Sequence, residues 1–363
     1  MKKILVHICC SVDSHYFLQK MQKDYPDAKL IGFFYDPNIH PYSEYYLRLL
    51  DVKRSCKRLG IELIEGEYDY EAWIEATRGL EDEPEKGKRC SVCFDRRFEV
   101  SAKKASELGC SFFTSTLLTS PKKSLKLLQQ SGDALAKKYG IEFLAPDYRS
   151  KSGTQEQNIL AKQDKLYRQN YCGCLYALKQ QREQQDRLLD ELFCPASGQI
   201  LPNSIEYRVA LYEQRVKLEE QGIKYDIVKN RILNYRLLFA KVMHKKQTIF
   251  SYIVPFSKLR NSFSRGKVEK EIDGVFYFNR DEIKFINLAK YNALMQTKYK
   301  SVLELSMNPP FFEDEVALRG KLGLSVFDLS AVIVLDRVEF AKYEIVIDAK
   351  IYEDVAEKIV LLK

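Results

Sequence analysis

No run of apolar residues approaches the roughly 18 that a membrane-spanning helix needs. The apolar part of the opening MKKILVHICC is also too short for a secretory leader. These absences argue against a membrane helix and make the cytoplasm the expected compartment. The half of the chain beyond residue 204 has no cysteine, one histidine (His244), no glycine-rich loop and no detectable repeat, so no chemistry is legible there. The composition is that of an ordinary globular chain, 45% hydrophobic and 30% charged, able to build a sizeable core. At 363 residues it exceeds what one core usually serves, and two domains are expected.

Nine cysteines are present, and in a reducing compartment they point to metal ligation or redox chemistry rather than a disulfide framework. Six fall into three close pairs. Cys90-x-x-Cys93 lets two thiolates from one tight turn reach one metal, as in zinc and iron–sulfur sites. The flanking KGKR and Arg96-Arg97 would lower thiol pKa values and offset cluster charge. Cys9-Cys10 falls where a first strand should end, a place where doubly wound folds put ligands. Adjacent residues on a regular strand face opposite ways, so the pair needs a bend to serve one centre, or it serves two; its alternative reading is a pair of small buried hydrophobes. Cys172-Gly173-Cys174 suits a dithiol that closes into a strained disulfide and reopens, with Gly173 supplying backbone freedom. Cys56, Cys110 and Cys194 lack partners and read as structural. Of the histidines, His7 lies on a strand and His15 at a helix start, while His40 in the turn-rich NIHP is placed nearer a site.

The net charge of +8 is unevenly spread. Ser101 to Arg182 carries fourteen Lys or Arg against six acids, and Glu62 to Glu85 carries ten acids and one base, Arg78. A basic segment inside a folded domain is compatible with RNA, although a solvated surface explains it as well.

Strand-like KILVHI, LIGFFY, IELIEGEY, CSFFTSTLL and IEFLAPDY alternate with helical patterns. That order predicts an α/β domain: a Rossmann-like parallel sheet with helices on both faces, over residues 1–194. A mainly helical run follows Thr154, broken at Gly173. The proline- and glycine-bearing CPASGQILPNS marks the boundary, with a separate α+β domain over 195–363. There, 205–245 reads as a long charge-laced helical stretch and the alternating end as antiparallel strands.

CCSVDS after the first strand resembles the SGGVDS loop of PP-loop ATP pyrophosphatases through Val12-Asp13-Ser14. Cys10 and Ser11 stand where that family has the two glycines whose backbone cradles pyrophosphate. A closer resemblance, over about residues 3 to 182, is to the QueH-type epoxyqueuosine reductase family. HICC, GFFYDPNIHPYSEY, KRCSVCFDRR, FFTSTLLTSPKKS and LYRQNYCGCLYALK carry it, in order. This resemblance implies reductive removal of the epoxide oxygen of epoxyqueuosine in tRNA, with electrons from an unidentified donor. It implies a [4Fe–4S] cluster on Cys9, Cys10, Cys90 and Cys93, and a redox-active pair at Cys172 and Cys174. The family also admits a second, mononuclear iron. Many members read CCAPCS where this chain has CCSVDS, which leaves Asp13 as a carboxylate ligand to that second iron or as a proton donor.

Epoxide removal needs electrons, an acid at the oxygen and proton donors, and Asp13 and His40 are the candidate proton or metal partners. Lys122-Lys123, Arg149 and Lys151 are candidate phosphate contacts, and Tyr42 or Tyr171 candidate stacking partners for an anticodon base. Two rivals stand beside this expectation: an ATP-dependent tRNA-modifying enzyme of the PP-loop class, and a zinc-stabilised RNA-binding protein.

Overall fold

A computed structural model describes residues 2–120, 124–150, 152–325 and 327–362. The chain divides into two compact units, crossing between them four times. The first comprises residues 1–192, 208–227 and 359–363; the second comprises 193–207 and 228–358. Among the described residues, no helix is long and apolar enough to cross a membrane.

In the first unit, strands β1 (Lys2–Ile8), β2 (Ala28–Phe34), β3 (Glu62–Glu65), β4 (Phe112–Ser115) and β5 (Glu142–Phe143) pair in the order β3-β2-β1-β4-β5. Every pairing is parallel. The unbroken burial of Ile4 to Ile8 follows from this, since a central parallel strand is covered on both faces. The chain winds outward from β1 to β3, returns to the far side of β1, and winds outward again to β5. With right-handed crossovers, α1 (Ser11–Asp24) and α2 (Tyr42–Leu59) cover one face, while α4 (Lys88–Glu107) and α5 (Leu125–Tyr139) cover the other. The pairs α1/α2 and α4/α5 pack accordingly. The short α3 (Tyr70–Ala76) precedes α4, and α6 (Gly153–Gln163) and α7 (Leu175–Gln184) follow β5. The winding reverses between β1 and β4, so the loop after β1 opens at the switch point where such sheets bind ligands.

Residues 205–245 are not one helical stretch. Helix α8 (Ile205–Glu220) ends at the turn of Gly222 (φ 69°), and the chain continues as the long strand β6 (Tyr225–His244). The β-branched and aromatic residues of YDIVKNRILNY suit an extended chain better than a helix.

The second unit contains β7 (Gln247–Ile249), β8 (Tyr252–Ile253), β9 (Phe263–Ile272), β10 (Val275–Phe278), β11 (Lys284–Asn287), β12 (Val332–Leu335) and most of β6 and β13 (Lys342–Leu361). Their order is β7-β6-β13-β9-β10-β11-β12-β8. Strands β11 and β12 are parallel, and α9 (Leu288–Met295), α10 (Val302–Met307) and α11 (Phe312–Lys321) supply the crossover a parallel pair requires. Strands β7 and β8 stand at opposite edges of the sheet, yet only Phe250 and Ser251 separate them. Three residue steps span at most about 11 Å, so the sheet curls until its edges nearly meet.

Candidate thiol site

Cys9 and Cys10 leave the end of β1, and the extended backbone of Cys10 (φ −159°) turns the chain into α1. The bend that two adjacent thiols need is therefore a strand-to-helix turn, and both are buried. They share a hydrogen bond that divides them electrically. Donation from Cys10, supported by the guanidiniums of Arg97 and Arg48, holds the Cys9 thiol well below its usual range. The same bond, with burial, pushes Cys10 well above it. Asp13 follows in the first turn of α1, where Gln157 Nε2 donates to its Oδ1 at 2.7 Å. Burial first, and the Cys9 sulfur second, push its carboxyl up to about 7.

Cys90 and Cys93 lie inside α4, not in a turn before it. The helix starts after Gly87, with the Glu83 carboxylate accepting from Lys88 N at 3.0 Å. An i, i+3 spacing is nearly one helical turn, so both thiols share a face, continued by Phe94 and Arg97. Burial pushes Cys93 up to about 12, opposed by Arg97. Cys90 Sγ accepts from Lys86 N at 3.3 Å. Arg89, buried, donates to the carbonyls of Leu80, Glu81 and Glu83 at 3.0, 2.7 and 2.6 Å. It thereby stitches down the acidic loop before the helix.

Cys172-Gly173-Cys174 sits immediately before α7. Gly173 has φ +109°, and a Cβ there would come within 2.8 Å of Ile39 Cγ1, so both the conformation and the close approach require glycine. Its carbonyl accepts from His40 N at 2.9 Å, and Tyr171 Oη donates to the His40 carbonyl at 2.7 Å. The loop after β2 and the dithiol loop are thus tied by their backbones.

Cys90, Cys93, Cys172 and Cys174 line one small cavity with Trp73 and Arg97. Cys9 and Cys10 do not line it; Cys9 meets it through Arg97, whose charge also acts on Cys93 and Cys172. Among the described residues, no three side chains converge as on a single metal ion. A four-iron cluster spreads its thiolates over different irons and does not demand such convergence. The surroundings fit an anionic, thiolate-held group. Arg89 Nε and Nη2 and Arg97 Nε are buried beside the thiols without a protein acceptor, and Asn38 Oδ1 without a donor.

The remaining sequence candidates separate. His7 is buried and structural, its Nδ1 2.8 Å from Ser115 Oγ and its Nε2 3.1 Å from the Tyr35 carbonyl. His15 is held by Ser55 and Asp164 at 2.8 and 2.9 Å. The His40 ring stacks on Tyr70 at 4.7 Å, and burial lowers its pKa. Tyr171 is buried under the Arg48 guanidinium and is no stacking surface, whereas Tyr42 is exposed. Arg149 Nη1 donates to the Ser120 carbonyl at 2.6 Å, and Lys122, Lys123 and Lys151 lie outside the described residues. Of the flanking arginines, Arg96 turns away to Asp69 at 2.6 Å. Cys56 and Cys110 are buried and Cys194 is exposed, none near the thiol cavity. Sequence reasoning missed Asp36 and Asn38, although DPN in the GFFYDPNIHP motif is their signal. It also missed Arg48, which donates to the Tyr171 and Cys172 carbonyls, both at 3.0 Å.

Thiols set to different proton affinities by a shared hydrogen bond and by burial, with buried guanidiniums beside them, lie at the carboxyl edge of a doubly wound sheet, an arrangement suited to an oxidoreductase. The family described as Epoxyqueuosine reductase QueH matches residues 4–180. The epoxyqueuosine reductase QueH of Helicobacter pylori is 41% identical over 348 residues, covering 92% of this chain and 94% of that protein. Its namesake from Thermotoga maritima is 35% identical over 186 residues, covering 50% of this chain and 94% of that protein. The chain belongs to the QueH family of epoxyqueuosine reductases. Among solved structures, the U34-tRNA thiolase NcsA from Methanococcus maripaludis, described with its [4Fe-4S] cluster, aligns at 16% identity over 60% of this chain and 73% of that one, with a TM-score of 0.35.

Proposed function

We propose that the protein removes the epoxide oxygen of epoxyqueuosine in tRNA, leaving the alkene of queuosine, with Cys172 and Cys174 as the redox-active pair. The observation that carries this is the convergence of thiols from helix α4 and from the loop before α7 on one cavity beside unsatisfied guanidinium nitrogens. Conversion of an epoxide to an alkene consumes two electrons and two protons and releases water. Two thiols closing to a disulfide yield two electrons and two protons, so the balance is met by one turnover of the pair. An external reductant, acting after each turnover, reopens the disulfide.

Cys9, Cys10, Cys90 and Cys93 would hold a [4Fe–4S] cluster, which when bound supplies electrons singly. Asp13, with its carboxyl raised to about 7, is able to hold a proton near neutrality or to bind a second, harder iron. The backbone of His40 anchors the dithiol loop, which gives that residue a positioning part. Substrate tRNA is the expected macromolecular partner.

The shared cavity favours a second reading of the ligand set. In it, Cys90, Cys93, Cys172 and Cys174 are the cluster ligands, and Cys9, Cys10 and Asp13 form a separate metal site. One comparison separates the two. Iron and acid-labile sulfide are measured in anaerobically purified Cys172→Ser and Cys9→Ser, alongside epoxyqueuosine loss from tRNA by mass spectrometry. On the first reading Cys172→Ser keeps sulfide and loses turnover, and Cys9→Ser loses sulfide; the second reading reverses the sulfide result. A wild-type protein holding only zinc and leaving epoxyqueuosine intact would sink both.

A further inference from the structure

Helix α8 lies beyond the stretch of chain that the family match covers, and its residues 208–220 belong to the first unit. Two of its arginines, on one helical face at i and i+7, enter a buried polar network that ends at the Cys9-Cys10 turn and the Cys172-Gly173-Cys174 loop. Arg208 Nη1 donates to Tyr167 Oη at 3.1 Å, and Tyr167 Oη donates to Glu44 Oε2 at 2.8 Å. Glu44 Oε1 accepts from Arg48 Nε at 2.8 Å, and Arg48 then donates to the carbonyls of Tyr171 and Cys172. Arg215 forms an ion pair with Asp51, and its Nη1 donates to the Lys165 carbonyl at 2.8 Å. The other oxygen of Asp51 accepts from Ser11 Oγ, next to Cys10, and from Tyr167 N at 2.7 Å.

Glu44, Arg48 and Asp51 lie at i, i+4 and i+7 on α2, and all three are essentially without exposure. An amphipathic helix would carry leucines there. Buried charges persist only where partners satisfy them, and α8 supplies the cations that face this stripe.

We propose that Arg208 and Arg215 are positioning residues for the thiol site: through Tyr167 and α2 they fix the Cys172-Gly173-Cys174 loop against the Cys9-Cys10 turn. The proposal rests on the reading that these cysteines react, and goes beyond it by making residues 208–220 of α8 part of the site. Neither arginine touches a thiol. Each acts through an acceptor that does the positioning.

The test uses the full chain with Tyr167→Phe, which deletes the hydroxyl relay but keeps the ring, and Arg208→Gln, at a half-buried residue of α8. Glu213→Gln is the control, because Glu213, on the same helix α8, accepts from the Tyr46 hydroxyl of α2 at 2.9 Å, outside the relay through Tyr167 and Asp51. Alkylation rates of Cys172 and Cys174 are followed by peptide mass spectrometry, with buried Cys56 and Cys110 as internal references. Unfolding in urea is recorded on the same samples. The expected result is a several-fold faster Cys172 reaction in both relay variants, with Cys56, Cys110 and the unfolding midpoint unchanged. Where turnover is measurable, kcat should fall and KM for tRNA should hold. Equal acceleration of all four cysteines would show general loosening and overturn the proposal, as would an unchanged Cys172 rate. If Tyr167→Phe does not fold, Arg208→Gln decides alone. Labelling reports on the loop even if the protein turns over no epoxyqueuosine, so failure of the activity assignment and failure of this proposal are separable.

Discussion

The guanidinium of Arg97 is ion-paired with the carboxylate of Asp36 at a point where both are almost completely buried. Asp36 comes from the loop after β2 and Arg97 from the third turn of α4, so the pair joins that loop to the helix that carries Cys90 and Cys93. Burial pushes the Asp36 carboxyl upward, with Arg97 opposing, and the same cation serves Cys9, Cys93 and Cys172. One positive charge is shared among a carboxylate and three sulfurs. That makes Arg97 the electrostatic centre of the site.

Removing Arg97 should therefore be costly for stability before it is costly for chemistry. Arg97→Met leaves Asp36 buried without its cation and should destabilise the fold by about 3–5 kcal/mol. Arg97→Met with Asp36→Asn removes the orphaned charge and should recover most of that loss. Urea unfolding of the four forms in a double-mutant cycle measures it, and additive single effects would show that the pair is not coupled.

Gly173→Ala asks a backbone question. A residue with a Cβ at φ +109° is strained wherever it sits, and here the Cβ would also meet Ile39 at 2.8 Å. A cost of roughly 1–3 kcal/mol is expected, with the backbone bond from His40 N to the Gly173 carbonyl weakened. Hydrogen exchange at the His40 amide should accelerate in the variant while exchange in β1 stays slow; equal protection in both proteins would contradict it.

Much of the first unit is legible in the sequence because its inner strands β1, β2 and β4 are largely apolar runs that are mostly buried, and such runs are visible without tertiary information. The cysteine pairs are legible for the same local reason. Their grouping is not. Cys93 and Cys172 are 79 positions apart, and what brings them to one cavity is the Ile39–Gly173 contact and the charge of Arg97, neither of which leaves a periodic trace. The β6 strand was hidden by its charge pattern, since NRILNYRLLFAK reads as an amphipathic helix unless Gly222 is taken as a stop. The buried Glu44, Arg48 and Asp51 stripe was hidden most deeply, because a charged helical face is ordinarily read as solvated.

Acid should weaken the fold through the anchoring of α8. Glu219, near its end, is desolvated, which alone would raise its pKa. Two nitrogens of Arg54, at 2.7–3.0 Å, and the hydroxyl of Tyr225 more than compensate and hold the carboxyl at about 2. A carboxylate with a depressed folded-state pKa contributes stability that is present above its unfolded value, near 4.3, and is lost as pH falls toward 2. Unfolding free energy should therefore decline between about pH 5 and pH 2 in the wild type, and Glu219→Gln should flatten part of that slope. An identical slope in both proteins would remove Glu219 as a source of acid sensitivity.

The division of the chain into units bears on where it can be cut. A chain ending at residue 194 keeps every cysteine and all of the family-matched stretch, yet it loses Arg208, Arg215 and Glu219. Asp51, wholly buried, would keep its bonds to Ser11 and Tyr167 N but lose the guanidinium that neutralises it, with Arg54 Nη1 at 3.8 Å the nearest remaining cation. An uncompensated buried charge is worth several kcal/mol, comparable with the whole stability of a domain of this size. The truncated chain should accordingly unfold at a lower urea concentration than the full chain. Asp51→Asn sharpens the expectation by reversing sign. In the full chain it leaves Arg215 without its anion and should destabilise, whereas in the 1–194 chain it discharges the orphaned carboxylate and should stabilise. Urea midpoints of the four proteins test this directly, and the same sign in both lengths would mean that α8 is not the partner on which Asp51 depends.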